Sequence, residues 1–340
     1  MADFYHAAKA PSRRNPAKDA LFSIRVPWHC DTMKTTLYAN HSGLKHDTGL
    51  DHPENADRLR AVLEVMESAP FDALPRGEIR SATEDDILRA HPYSYFEHVM
   101  ENMPDRGNAM FDADTIVSPG SWHAALEAAG TLCSAIDDIA NGKTQRAFCA
   151  VRPPGHHAEP SKSMGFCLFN NVFIGARYAQ EIHGFRKIAI VDFDVHHGNG
   201  TDVMTRRHDG SILFISTHQY PLWPMTGLEE DNEECVMNFT LPPASGSETF
   251  RTIYEKKVFP ALTRFAPDLL LLSSGFDAHK DDPLAQINLE TEDFGWVTEQ
   301  LCAIADQTAQ GRVASILEGG YDLEALKASV SAHLAALAAD

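Results

Sequence analysis

Residues 187–200 read Lys187-Ile-Ala-Ile-Val-Asp192-Phe-Asp194-Val-His196-His197-Gly-Asn199-Gly200. Positions 188–191 are all apolar, so a strand there has both faces to cover, which calls for a parallel sheet between helices rather than an antiparallel sheet open to water. The same unbroken apolarity returns in Asp268-Leu-Leu-Leu-Leu-Ser273. Working outward, strands are expected at 35–39, 147–151, 187–193, 212–217, 268–273 and 312–317, and helices at 56–67, 171–182, 248–265, 292–309 and 323–339. A further helix follows from Trp122, Leu126, Ala129, Cys133, Ile136 and Ala140, with Ser118 as N-cap, Pro119 as first helical residue and Gly142 past the end. Strands alternating with helices, with no internal repeat or linker after Met33, give a single-domain α/β protein.

The 340 residues hold 48 Asp and Glu against 29 Lys and Arg, a net charge of −19 that excludes a nucleic-acid-binding surface as the main function. No apolar run approaches the ~18 residues of a membrane span, so no membrane partner is expected. Cys30, Cys133, Cys149, Cys167, Cys235 and Cys302 show no paired spacing, which fits reduced thiols and a cytoplasmic location. Residues 1–32 differ from the rest: five basic and three acidic residues give them a charge of +2 and leave −21 for 33–340. They contain no export-type apolar segment, and they are expected to form an N-terminal arm or extension preceding a catalytic domain over 33–340.

Four clusters of reactive side chains each follow the carboxyl end of an expected strand. They are Arg152-Pro-Pro-Gly-His156-His157, the Asp192 to Gly200 run, Ser273-Ser-Gly-Phe-Asp277-Ala-His279, and Glu318-Gly-Gly-Tyr321-Asp322. That edge of an open parallel sheet is where loops can converge on a ligand without disturbing the packed faces. Asp192, Asp194 and His196 alternate, so in extended chain they leave from one side, and two neighbouring buried carboxylates call for a cation. An isolated Asp-x-Asp is usually a solvated turn. With His196, His197 and Asp277 beside it, a metal such as Zn²⁺ with an open position for water is the better reading. His156-His157 on a stiff Pro-Pro-Gly turn suit acid/base work, and Gly319-Gly320 leave the backbone free to bring the Tyr321 phenol close to a reacting carbonyl.

Together with His52-Pro-Glu-Asn-Ala-Asp-Arg58, the Asp112-Ala-Asp-Thr run and Gly165-Phe166-Cys-Leu-Phe-Asn-Asn, these clusters resemble the histone deacetylase and acetylpolyamine amidohydrolase family over roughly residues 37–334. The resemblance implies an arginase-like α/β fold with eight parallel strands flanked by helices, and zinc-dependent removal of acetyl groups from amines. It implies Asp194, His196 and Asp277 as ligands of one zinc per chain, His156 and His157 as the tandem active-site histidines with Asp192 behind His156, and Tyr321 as the oxyanion-binding phenol. Phe166 with Gly165, Trp223 and Leu284 would line the acyl tunnel, and Arg58 matches an internal-channel arginine. A structural potassium ion is implied near Asp192 and Ser216. Asn199, where class I members have Asp, and Phe276 are similar to class II and bacterial members; an amide adds no charge behind His157 and leaves it less basic than a carboxylate would.

The implied substrates are acetyl-lysine in proteins or, alternatively, acetylpolyamines and small acetamides; a homo-oligomer is left open. The acidic run Glu229-Glu-Asp231-Asn-Glu233-Glu234, expected near the tunnel mouth, is either a solvated loop or an attractant for cationic substrates. A binuclear manganese ureohydrolase of this fold would want extra Asp and His bridging ligands, and the pairing of Pro-Pro-Gly-His156-His157 with Gly-Gly-Tyr321 argues against it. A silent acyl-lysine-binding protein is a third reading, weakened because every catalytic position is filled.

Overall fold

The computed structural model describes residues 33–339; the arm expected over 1–32 lies outside the described residues. In chain order the strands are β1 (Met33–Ala39), β2 (Ala109–Met110), β3 (Ile116–Val117), β4 (Thr144–Ala150), β5 (Ile188–Asp192), β6 (Ile212–Gln219), β7 (Val236–Leu241), β8 (Leu269–Ser274) and β9 (Val313–Leu317). The helices are α1 (Ala56–Met66), α2 (Glu84–Leu88), α3 (Tyr93–Glu101), α4 (Ser121–Ala140), α5 (Asn171–His183), α6 (Asn199–Arg206), α7 (Ser247–Ile253), α8 (Phe259–Phe265), α9 (Thr291–Thr308) and α10 (Leu323–Ala338). Seven strands make one sheet in the order β1-β4-β9-β8-β5-β6-β7, and every pairing in it is parallel. β2 and β3 form a small separate hairpin.

Alternation within the central strands explains why they are apolar throughout. In β5, Ala189 and Val191 join the core under α1, α9 and α10, whereas Ile188 and Ile190 join the core under α4 and α5. Leu270 and Leu272 of β8 divide from Leu269 and Leu271 in the same way. Each strand residue thus buries its side chain in one of two layers, at about 1.5–3 kcal/mol per large aliphatic group.

Three expectations need correction. Among the described residues the sheet has seven strands, not eight: beyond β1 they make only a single parallel bridge, Leu37 to Arg76, with Leu37 N–H donating to Pro75 O and Gly77 N–H to Leu37 O. Pro75 has no N–H with which to extend a ladder. α4 begins at Ser121, two residues late, because the Ser118 hydroxyl accepts from the Asp47 N–H (2.9 Å) instead of capping the helix. The helix expected over 248–265 is divided by a wide π turn at Tyr254–Val258; Pro260, at the start of α8, offers no N–H to the preceding turn. Edge strand β7 escaped the periodicity because Asn238 and Thr240 interrupt its apolar residues.

The chain leaves β5 toward β6 on one side and β8 toward β9 on the other, so the point where strand order reverses lies between β5 and β8. Such a crevice, outside the carboxyl ends of adjacent strands, is where ligands bind in open α/β sheets.

Two buried histidines make stability pH-sensitive. His91 accepts the Asn170 N–H at Nε2 (2.9 Å) while Nδ1 faces Pro160 O (3.0 Å), so it is neutral; His333 lies between Thr298 and Ser315 hydroxyls. Burial pushes them down from the ordinary 6.5 to about 4 and about 3. The unfolded chain binds these protons first, so the stability they contribute is full above pH 6.5 and is lost as pH falls through about 4 and about 3. Urea-unfolding midpoints are expected to fall steadily from pH 7 to 4.5, and a flat profile would contradict neutral burial.

Candidate metal centre and active site

Asp194 and His196 lie just past β5, and Asp277 just past β8, facing each other across the reversal point. Among the described residues they form the one group of three whose ligand atoms all lie within 4.8 Å of one another, and all three are buried. Both carboxylates are tied to backbone: Asp194 Oδ2 accepts from Gly319 N–H and Asp277 Oδ1 from Val195 N–H, both at 2.8 Å, while Asp194 Oδ1 takes the His196 N–H at 2.9 Å. The other oxygens, Asp194 Oδ1 and Asp277 Oδ2, face His196 Nδ1 at 3.2 and 3.1 Å. Burial, and next the Asp194 charge, push the Asp277 carboxyl up to about 7, while for His196 burial is outweighed by its carboxylate partners, which raise it to about 10. Two anionic oxygens and an imidazole nitrogen converging in a buried space are a donor set that fits a borderline cation such as zinc. Glycine is required here: a Cβ on Gly319 would stand 2.1 Å from Asp277 Oδ2 and 2.5 Å from Asp194 Oδ2. The Gly-Gly pair therefore serves the carboxylates as well as the phenol, a reason that sequence reading missed.

His156 and His157 leave the loop after β4 and stand beside this trio, their rings 3.9 Å apart. His156 Nδ1 is 2.9 Å from Asp192 Oδ2, and His157 Nδ1 is 2.9 Å from Asn199 Oδ1. Burial disfavours charge on both. For His156 the Asp192, Asp194 and Glu318 carboxylates override it and raise the ring to about 10; for His157 the positive charges of His156 and His196 add to burial and hold it well below 6.5. Adjacent residues are thereby driven to opposite protonation states, an imidazolium and a neutral base, which is the electrostatic pattern of divided acid/base roles.

Tyr321 follows β9. Its backbone N–H donates to Asp282 Oδ2 (2.7 Å), its ring lies under the Arg58 guanidinium (4.8 Å) and edge-on to Phe166 (6.0 Å). Burial is the main cause that keeps its hydroxyl well above 10, so it is an O–H donor at neutral pH. Leu284, half-buried, donates its N–H to the other oxygen of Asp282. Trp223 packs edge-on to His157 at 4.7 Å and remains 39 % exposed. Phe166 adopts φ 68°, unusual for a side chain with a Cβ. Gly165 N–H on Asp114 Oδ1 and Phe166 N–H on Thr115 Oγ1, both 3.2 Å, hold it there, with the His52 ring 4.8 Å away. A Cβ on Gly165 would meet His157 at 2.4 Å. Ser216 pairs with Asp192 in the β5–β6 register, and its hydroxyl is 2.9 Å from His218 Nδ1.

Beneath the site lies a network whose roles the sequence did not disclose. Glu54 is fully buried between Arg152, which grips it through Nε and Nη2, and Arg58 Nη1 (3.1 Å); burial resists its ionisation, but Arg152 outweighs that and holds it down to about 2. The other Arg58 nitrogens donate to Gly320 O and Glu318 O, fixing the turn that carries Tyr321. Glu318 accepts the N–H groups of Gly155 and His156 and so ties the histidine loop to β9. All of these residues stand inside motifs legible in sequence, but apart from the Glu54–Arg58 pair, four residues apart, their partners are 98 to 262 residues away. The acidic run borders a cleft of about 530 Å³ that also touches Asn199, Glu159 and Asp202; Arg206 and Lys257 meet Glu233 and Glu229.

Residues 52–337 match the family model for the histone deacetylase domain. A histone deacetylase-like amidohydrolase of Pseudomonas aeruginosa is 35% identical over 80% of this chain and 72% of its own length. A probable deacetylase of Methanothermobacter thermautotrophicus is 38% identical over 88% and 87%. The crystal structure of the HDA15 HD domain superposes with a TM-score of 0.83 at 30% identity, covering 90% of each chain. Among the described residues no helix is long and apolar enough to cross a membrane.

Proposed function

Since this chain belongs to the histone deacetylase family, we propose that it is a zinc-dependent amidohydrolase that removes acetyl groups from primary amines such as acetyl-lysine in proteins. The observation that carries this reading is the buried Asp194-His196-Asp277 trio beside two histidines of opposed charge. The chemistry a zinc ion supplies when held by such a trio is polarisation of the acetyl carbonyl and acidification of a water. His157, neutral and with Nδ1 turned to Asn199, offers Nε2 as general base to that water and returns the proton to the leaving amine. His156, kept positive against Asp192, opposes the negative charge that builds up as the carbonyl is attacked. The Tyr321 O–H donates to the carbonyl oxygen, a hydrogen bond that strengthens in the transition state. Phe166 and Trp223 would flank the acyl chain and exclude water, and Asp192 and Ser216 would hold a structural potassium ion beside the loop after β5.

Acetate release from acetyl-lysine peptides, acetylpolyamines and small acetamides, each with and without chelator, tests the reading. Turnover is expected with peptides, lost on chelation and recovered with one equivalent of zinc. Strong preference for acetylpolyamines would select the alternative substrate class, and tight peptide binding without acetate release would replace the enzyme by a binding protein.

A further inference from the structure

Behind His157 the contacts continue one residue beyond Asn199. The Asn199 amide nitrogen is surrounded by acceptors: Glu159 Oε1 at 2.9 Å, Met164 Sδ at 3.3 Å and His157 O at 3.4 Å. Only Glu159 offers a charged, well-directed oxygen, and a charged acceptor makes the strongest of the three bonds. With Nδ2 committed there, Oδ1 is the atom left facing His157 Nδ1 (2.9 Å). A carbonyl oxygen can only accept, so the His157 proton must sit on Nδ1 and the Nε2 lone pair must point into the site. Rotating the amide by half a turn would set Oδ1 against three acceptors and turn an N–H toward Nδ1, which would favour the wrong tautomer.

We propose that Glu159 is a positioning residue: it locks the rotation of the Asn199 amide and through it the tautomer of His157. The proposal rests on the deacetylase reading for its kinetic consequence, but not for the tautomer itself. Glu159 suits this role because its backbone, paired with Lys162 in both directions, holds the loop independently of the side chain. Its half-buried carboxylate also lines the cleft beside Asp202 and Arg206, on the far side of the buried amide from His157.

The test combines Glu159→Ala, Glu159→Gln, Asn199→Asp and the double variant, each measured for kcat, KM, zinc content and melting temperature, with ¹⁵N shifts of His157 as a readout that needs no turnover. Glu159→Ala is expected to lower kcat roughly 10- to 100-fold, as loss of an outer partner of a site residue does, with KM and zinc content nearly unchanged and Nε2 of His157 becoming protonated. Glu159→Gln keeps an acceptor oxygen and is expected to recover most of the loss. Asn199→Asp sets two carboxylates against each other and is expected to be impaired; adding Glu159→Gln, whose amide can donate, is expected to restore it. Glu159→Ala with kcat within about twofold of the parent, or with an unchanged His157 tautomer, overturns the inference, as does a loss that Glu159→Gln fails to rescue or that appears only as melting or lost zinc. A parent protein that releases no acetate overturns the deacetylase reading, and the ¹⁵N shifts then decide the positioning role alone.

Discussion

Asp277→Asn is expected to give a folded protein that binds zinc roughly 1000-fold more weakly than the parent and loses acetate release with it. The substitution is chosen for shape: an asparagine carbonyl can still accept the Val195 N–H that Asp277 Oδ1 holds at 2.8 Å, so the loop after β8 keeps its anchor. What disappears is the second oxygen's charge, the one aimed at His196 Nδ1. Protein zinc sites draw about 10–16 kcal/mol from their donors, so one anionic donor among three accounts for about 4 kcal/mol, or three powers of ten. Metal analysis after dialysis and acetate release at saturating zinc check the two halves separately. Stoichiometric zinc with full turnover would contradict the assignment. His196→Ala is expected to lose metal as well and to be less stable, since it leaves Asp194 and Asp277 facing each other without an imidazole.

Tyr321→Phe is expected to retain zinc and substrate affinity while kcat falls by about 10²- to 10³-fold, the loss found when a single oxyanion donor is removed, roughly 3–4 kcal/mol. The ring's environment makes the variant clean. Its stacking under Arg58 and its edge contact with Phe166 involve only carbon atoms that phenylalanine shares, and its backbone anchor on Asp282 is untouched. A defect confined to kcat follows if the hydroxyl acts only as the oxyanion forms. Near-normal turnover would reject that role, and a rise in KM alone would make Tyr321 a wall of the tunnel.

The legible part of this site consists of residues whose chemistry is local. Asp192, Asp194 and His196 stand two apart after an apolar strand, and His156-His157 are adjacent on a Pro-Pro-Gly turn, so residue type and spacing suffice to nominate them. Trp223 was nominated only through resemblance, and the structure seats its ring on His157. The acidic run at 229–234, expected at the tunnel mouth, borders the cleft beside Asn199, with Glu233 and Glu229 met by basic side chains. Glu54, Arg152 and Glu318 were visible as letters in motifs and invisible as a network, because a buried ion pair has no local period.

The sequence by itself determined the fold class, through strands apolar on both faces, and nominated the reactive groups, because alternation and motif spacing are properties of neighbouring residues. The strand count was beyond it: whether 75–77 adds a strand depends on what β1 offers across space, and only one bridge forms. Only the tertiary structure decided that β5 and β8 are neighbours at the reversal of strand order, which brings Asp194 and Asp277 together from 83 positions apart. It also decided which way the Asn199 amide faces, since that depends on acceptors gathered from the loop at 157–164 around a residue at the start of α6. Hydrogen-bond direction and charge balance are set by every atom within a few ångströms, and those atoms come from segments that local pattern cannot pair.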